Sequence, residues 1–167
     1  MPRRIKMLCV LSMALLTFCA CGQTASSAVF TQDDFYLDIG GAEYRCDDDI
    51  QTVIENLGPD YAYSEAISCA YDGLDKTYDY DMAAFYTNPL EAGDMVSEIY
   101  TEDPAVSTSR GITVGDGRDH VLAAYGDGDD TGNMIIYRVP GEAGRGALCF
   151  EMENDAVIAI FITTEPV

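Results

Sequence analysis

Two spacings of apolar residues organise this chain. Ile50, Val53, Ile54 and Leu57 stand at i, i+3, i+4 and i+7, the period that lays an apolar stripe along one side of a helix. Further on the period falls to two and β-branched and aromatic residues take over. These runs lie at 66–71, 76–80, 83–87 and 95–101, and again at 134–139, 147–152 and 157–163. Asp72-Gly73, Asn88-Pro89 and Pro140-Gly141 punctuate them as turns, and Glu153-Asn154-Asp155 is short enough to close a hairpin. Another hairpin, 35–39 with 42–45, is split by Gly40-Gly41 and leads into the helix.

The pattern is written twice. Segments 44–58 and 112–126 each run from a short strand into an acidic helix start, an apolar pair, and a large residue followed by glycine. At one constant offset Asp48 matches Asp116, Val53 matches Val121, Ile54 matches Leu122 and Leu57 matches Tyr125. Asp48 and Asp116 are expected to accept hydrogen bonds from free helix N–H groups. Gly58 and Gly126 are expected to take the left-handed conformation that ends a helix. The first copy carries an extra segment, 61–75, between helix and strands. One helix cannot cover both faces of a three- or four-stranded sheet, so the copies should share a continuous or facing sheet. The expected fold class is α+β: a tandem repeat of a short helix followed by an antiparallel β-meander, with helices on one sheet face, divided as 35–104 and 105–167.

The first residues follow different rules. Arg3, Arg4 and Lys6 precede an apolar run from Met7 to Ala20 that only Ser12 and Thr17 interrupt. The run is about fourteen residues where a bilayer span needs roughly 20, so it reads as the core of an export signal. Phe18-Cys19-Ala20-Cys21-Gly22 resembles the lipobox of bacterial lipoproteins. That resemblance implies cleavage after residue 20, lipidation of the Cys21 thiol, and a palmitate-type anchor on the extracytoplasmic face of a cell membrane. Bulky Phe18 stands where a small residue is wanted before Cys19, which makes Cys19 the poorer acceptor. Gly22 gives no inner-membrane retention cue, and residues 21–34 would form the lipidated cysteine and its tether.

Charge narrows the partners. The chain has 9 basic residues against 29 acidic ones, and removal of Arg3, Arg4 and Lys6 would take the mature part to about −23. Nucleic acid and anionic lipid are electrostatically disfavoured; such a charge attracts basic partners or divalent cations, and the competing reading is a plain solvated acidic surface that keeps an exported protein soluble. The 147 residues left after residue 20 suffice for one domain with a core or two very small ones.

Gly111-Ile112-Thr113-Val114-Gly115-Asp116, Val121-Leu122-Ala123-Ala124-Tyr125-Gly126 and the strands around 150–160 together resemble modules of the β-lactamase-inhibitor-protein-like group, which includes small outer-membrane lipoproteins related to the barrel-assembly lipoprotein E. The resemblance covers most of 36–164. It implies helices on one face of an antiparallel sheet and a second face free to bind protein, and it carries over no functional residue.

Catalytic chemistry is thinly supplied. His120 is the single histidine, no Gly-x-Ser-x-Gly elbow accompanies it, and no phosphate-cradling glycine loop or Cys-x-x-Cys is present. No catalytic residue and no cofactor is assigned, and the chain is not expected to be an enzyme. A weak hydrolase would need His120 or a carboxylate pair lining a cleft. Asp127, Asp129 and Thr131 before Gly132 resemble the start of a calcium loop, but its twelfth position falls on Arg138 where a bidentate Glu is required. A plain polar loop is therefore expected, with calcium, or another cation or small molecule, as the alternative ligand. Cys46 and Cys69 lie close enough in sequence for a disulfide in an exported protein, and the competing reading makes Cys46, Cys69 and Cys149 small buried strand residues. In 77–81 the tyrosines Tyr78 and Tyr80 alternate with Asp79 and Asp81, and Tyr61, Tyr63 and Tyr71 stand nearby. Tyrosine is enriched at protein interfaces, so these five are the candidate contact residues, unless their rings pack under the helices. The expected function is that of a membrane-anchored, non-enzymatic interaction module with a protein partner in the cell envelope.

Overall fold

A computed structural model describes residues 29–141, 146–164 and 166–167. The expected signal 1–20, the expected lipidation site Cys21 and the first part of the expected tether lie outside the described residues. The fold is mostly β, 46 % strand against 14 % helix, and this corrects the expected tandem α+β repeat. Strands β3 (Ala62–Ile67), β4 (Leu74–Asp79), β5 (Ala84–Leu90), β6 (Gly93–Thr101), β8 (Asp129–Asp130), β9 (Met134–Arg138), β10 (Ala147–Glu153) and β11 (Ala156–Thr163) form one antiparallel sheet in the order β3-β4-β5-β6-β11-β10-β9-β8. A small sheet of β1 (Leu37–Ile39), β2 (Ala42–Tyr44) and β7 (Ser107–Thr108) stands apart from it, in the order β2-β1-β7.

What defeats the repeat is how little each helix buries. The helices α1 (Ile50–Leu57) and α2 (Arg118–Tyr125) each bury only two residues, Ile50 with Val53 and Val121 with Tyr125, too little to give each half a core of its own. Strand β6 pairs directly with β11, from Ile160 opposite Thr101 to Thr163 opposite Glu98, so the strands of both halves form one sheet without an internal edge, the continuous one of the two arrangements expected. The supposed extra segment contains β3, so the run expected at 66–71 is mostly the turn that follows it.

The helix boundaries are set locally. Asp49, not Asp48, caps α1 by accepting the Gln51 N–H at 2.9 Å, while Asp48 accepts the Arg45 N–H at 2.8 Å. Asp116 likewise accepts the Thr113 N–H at 2.8 Å, and the N-cap of α2 is Gly117, which supplies no side-chain cap. Both acids therefore brace the turn before the helix rather than the helix itself. Gly58 (φ +88°) and Gly126 (φ +79°) end the helices as expected, donating to Ile54 and Leu122 carbonyls at 2.8 Å. Asn154 and Asp155 both take positive φ, and this turn closes the β10–β11 hairpin. The main core lies between the large sheet, both helices and the small sheet, with Phe85, Ile99, Leu148, Phe150 and Ile162 fully buried.

Candidate functional site

Side chains alternate across a strand, so the register sorts the large sheet into two faces. One cross-strand row, Tyr63, Tyr78, Phe85, Ile99, Ile162, Leu148 and Tyr137, faces the main core. The neighbouring row, Ala62, Asp79, Ala84, Tyr100, Phe161, Cys149, Ile136 and Asp129, crosses all eight strands on the outer face. Beside it run Ser64, Thr77, Tyr86, Glu98, Thr163, Ala147 and Arg138.

The outer face has two characters. Over β9 to β11, Ile136, Ala147, Cys149 and Phe161 make a second apolar cluster, with Tyr100 and Met134 packed against it. Over β4 to β6, Tyr86 is exposed and Tyr100 half-buried among Asp79, Glu98 and Glu102. Tyr100 stacks on Phe161 with centroids 6.3 Å apart and donates its hydroxyl to Glu102 Oε1 at 2.7 Å. Burial first, and then the Glu102 carboxylate, push the Tyr100 phenol well up. Burial, then Glu98 and Asp79, raise that of Tyr86. Both rings therefore stay neutral hydroxyl donors at neutral pH. An open groove of about 520 Å³ runs along this part of the sheet, lined by Thr77, Asp79, Tyr86, Tyr100 and Glu102 among others. Aromatic area with a polar tip, set among carboxylates, suits a partner that brings apolar and cationic groups together.

Of the five tyrosines singled out from sequence, Tyr80 also lines this groove, and Tyr61, Tyr63, Tyr71 and Tyr78 lie outside it. Tyr78 is buried and Tyr80 half-buried on the core side, and Tyr61 makes edge or tilted contacts with both at 5.1 and 5.2 Å. Tyr80 donates its hydroxyl to the Gly58 carbonyl at 2.9 Å, closing the end of α1 onto the sheet, and burial pushes its phenol to about 12. Tyr63 and Tyr71 are exposed, Tyr63 beside Tyr78 and hydrogen-bonded to Glu65. The alternation of Tyr78 and Tyr80 with exposed Asp79 and Asp81 is present, but the tyrosines point inward. Sequence alternation does not single out the outer-face pair Tyr86 and Tyr100. Each follows a core aromatic or aliphatic residue, Phe85 and Ile99, and only the register reveals that both emerge on one face.

The remaining candidates separate. Asp129 pairs with Arg138 at 3.1 Å, Thr131 donates to Asn133 at 3.0 Å, and neighbouring Asp130 is taken by Arg118 at 2.5 Å and the Gly132 N–H at 2.8 Å. Asp129 and Thr131 are thus part of an arginine-tied turn, which Asp127 precedes. Among the described residues no group of three or more His, Cys, Asp or Glu is placed to hold a metal ion. His120 is exposed and bonds Asp116 Oδ1 at 2.9 Å, at the start of α2 and away from any groove described above.

Cys46 and Cys69 are both free thiols, as is Cys149. Cys46 is buried with Sγ 3.4 Å from the Ser97 carbonyl, whereas Cys69 is exposed in the β3–β4 turn. Burial, reinforced by Asp47, Glu98 and Asp48, holds the Cys46 thiol well above its ordinary value, and burial pushes Cys149 to about 12. Thiolate is the reactive form, so in the folded chain a thiol reagent should modify Cys69 at least about a hundredfold faster than Cys46 or Cys149. Peptide mapping after timed alkylation checks this, and equal rates at Cys69 and Cys46 would contradict the burial of Cys46. A scan against protein-family models, a search of curated proteins and a search of solved structures find no match to this chain.

Proposed function

We propose that this protein is a lipid-anchored, non-enzymatic module of the bacterial cell envelope that binds a basic protein partner through the outer face of its large sheet. The observation that carries this reading is the pairing of Tyr86 and Tyr100 with Asp79, Glu98 and Glu102 on one accessible stretch of that face. Tyrosines cost little entropy to immobilise and supply large contact areas, while surrounding carboxylates attract and orient a cationic partner. The chain's excess of acidic over basic residues adds long-range attraction of the same sign. The lipobox at Cys21 would keep the module at the membrane surface, where its partner must also be reached.

A photo-reactive amino acid at Tyr86 in the lipidated chain should cross-link one basic protein in the native membrane. The same group at Gln51, exposed on α1, should not. Exchange of both Tyr86 and Tyr100 for alanine should weaken the captured partner's binding at least about 30-fold, the loss expected of one or two interface hot spots. Raising the salt concentration should slow association more than it speeds dissociation. Equal capture from Gln51, or unchanged affinity of the double variant, removes the outer face as the site.

A further inference from the structure

The two edges of the large sheet are treated differently. At one end β8 is only two residues long, and Asp129 and Asp130 are held by Arg138 and Arg118. A short edge crossed by charged side chains is a poor template for another strand. At the other end β3 has six residues, Ala62–Ile67, every one of them exposed. It pairs with β4 in unbroken register, from Ala62 opposite Asp79 to Ile67 opposite Leu74, with no bulge. It contains no proline and no lysine. Among the described residues, main-chain hydrogen bonds from 62–67 go to β4 alone, so the outward N–H and C=O groups of alternate residues are unpaired by protein. Ile67 is 83 % exposed and Tyr63 49 %, so the edge also offers apolar surface.

We propose that β3 receives an extended basic segment of a partner protein, which pairs with it main chain to main chain as a ninth strand. Side-chain placement defines the segment. Tyr63, Glu65 and Ile67 share one face of β3, so an added strand meets apolar, acidic and apolar neighbours in turn. On the other face Ala62, Ser64 and Ala66 are small and leave room, with Asp79, Thr77 and Asp75 of β4 one strand further in. The matching segment is extended, with apolar side chains on the Tyr63 and Ile67 face and Lys or Arg on the other face, at positions reaching Asp75 and Asp79. A second copy of this chain is the poorer occupant, because it would bring a second strongly acidic surface against the first. The inference borrows from the outer-face reading only the basic character of the partner; the surface is a different one.

The test uses the full chain in detergent micelles and, as probe, a capped ten-residue peptide of alternating valine and lysine. Amide hydrogen exchange is followed residue by residue. At saturating peptide, exchange of the outward amides in 62–67 should slow at least about tenfold, and a version N-methylated at alternate residues should give no such protection. Ile67→Lys, at a site too exposed to endanger the fold, should weaken the peptide at least about fivefold, whereas Tyr86→Ala should leave protection of 62–67 in place. Protection confined to residues around Tyr86 and Tyr100 would overturn the edge proposal and leave the outer-face reading standing. Protection of 62–67 with a doubled mass and no peptide would overturn it in favour of self-pairing. No protection anywhere in the sheet would overturn it outright. Protection at 62–67 without cross-linking from Tyr86 would retain the edge and remove the outer face.

Discussion

Phe150→Ala is expected to cost about 3–5 kcal/mol, the usual range for emptying a phenylalanine site that cannot collapse. Phe150 is fully buried on β10, between the rings of Tyr125 of α2 at 5.7 Å and Tyr137 of β9 at 6.1 Å. Those rings in turn touch Phe30 at 5.9 and 6.2 Å, so the substitution loosens sheet, helix and N-terminal segment together. Against a total stability of about 5–15 kcal/mol this is a large share, and the melting temperature should fall by about 10 °C. Phe161→Ala is the matched control. Phe161 belongs to the smaller outer-face cluster, with only Ile136, Ala147 and Cys149 buried beside it, and should cost roughly half as much. Urea titration of both variants decides the matter; a larger loss at Phe161 would place the principal core on the wrong side of the sheet.

Arg110→Ala is the second large effect, about 2–3 kcal/mol, below the full value for a buried pair because both partners keep some solvent contact. The Arg110 side chain is 15 % exposed and that of Asp34 19 %. Arg110 grips Asp34 through Nε at 3.0 Å and Nη2 at 2.8 Å, donates to the Ala124 carbonyl at 2.9 Å and the Val29 carbonyl at 3.2 Å, and lies 4.7 Å from the Tyr125 ring centre. One guanidinium thus fastens the end of the expected tether to the far end of α2, and buried Phe30 completes the fastening. A variant lacking it should show faster amide exchange in 29–36 before any global unfolding. Arg110→Lys keeps the charge but not the two-pronged geometry and should fall between.

The same pair carries a pH signature. The hydrogen bond from Arg110 is the largest influence holding the Asp34 carboxyl below its ordinary 3.8, and it outweighs the opposing effect of burial. In that acid range the unfolded chain binds the proton more readily than the folded one. The contribution is therefore complete above pH about 4 and is lost as the pH falls through the lowered folded value. The stability gap between wild type and Arg110→Ala should be constant at neutral pH and narrow below pH about 4. A gap that widens on acidification would mean that Asp34 is not the partner responsible.

Local rules carried the local structure. Period-two runs located most strands of the large sheet, the i, i+3, i+4, i+7 stripe located α1, and Gly58 and Gly126 stopped the helices because an L side chain resists the left-handed conformation found there. The one badly placed strand, β3, has the sequence Ala-Tyr-Ser-Glu-Ala-Ile and is exposed on every residue, so burial wrote no alternation into it. Asp48 and Asp116 accept hydrogen bonds locally, but from the turn before each helix and not from the helix, since a turn and a cap use the same side-chain chemistry.

What tertiary structure alone decided was which strands meet. Sequence similarity between two halves says nothing about whether they close separate cores, and the pairing of β6 with β11 is a non-local choice that leaves no mark on either strand. That choice made one sheet of the two halves. It also set Tyr100 beside Phe161 on the outer face, while the β4–β5 and β5–β6 pairings put Tyr78 on the core side and Tyr86 on the face of Tyr100. Alternation along a strand determines that neighbouring side chains point to opposite faces, while only the covering of one face by helices and the small sheet determines which of the two is left open to solvent.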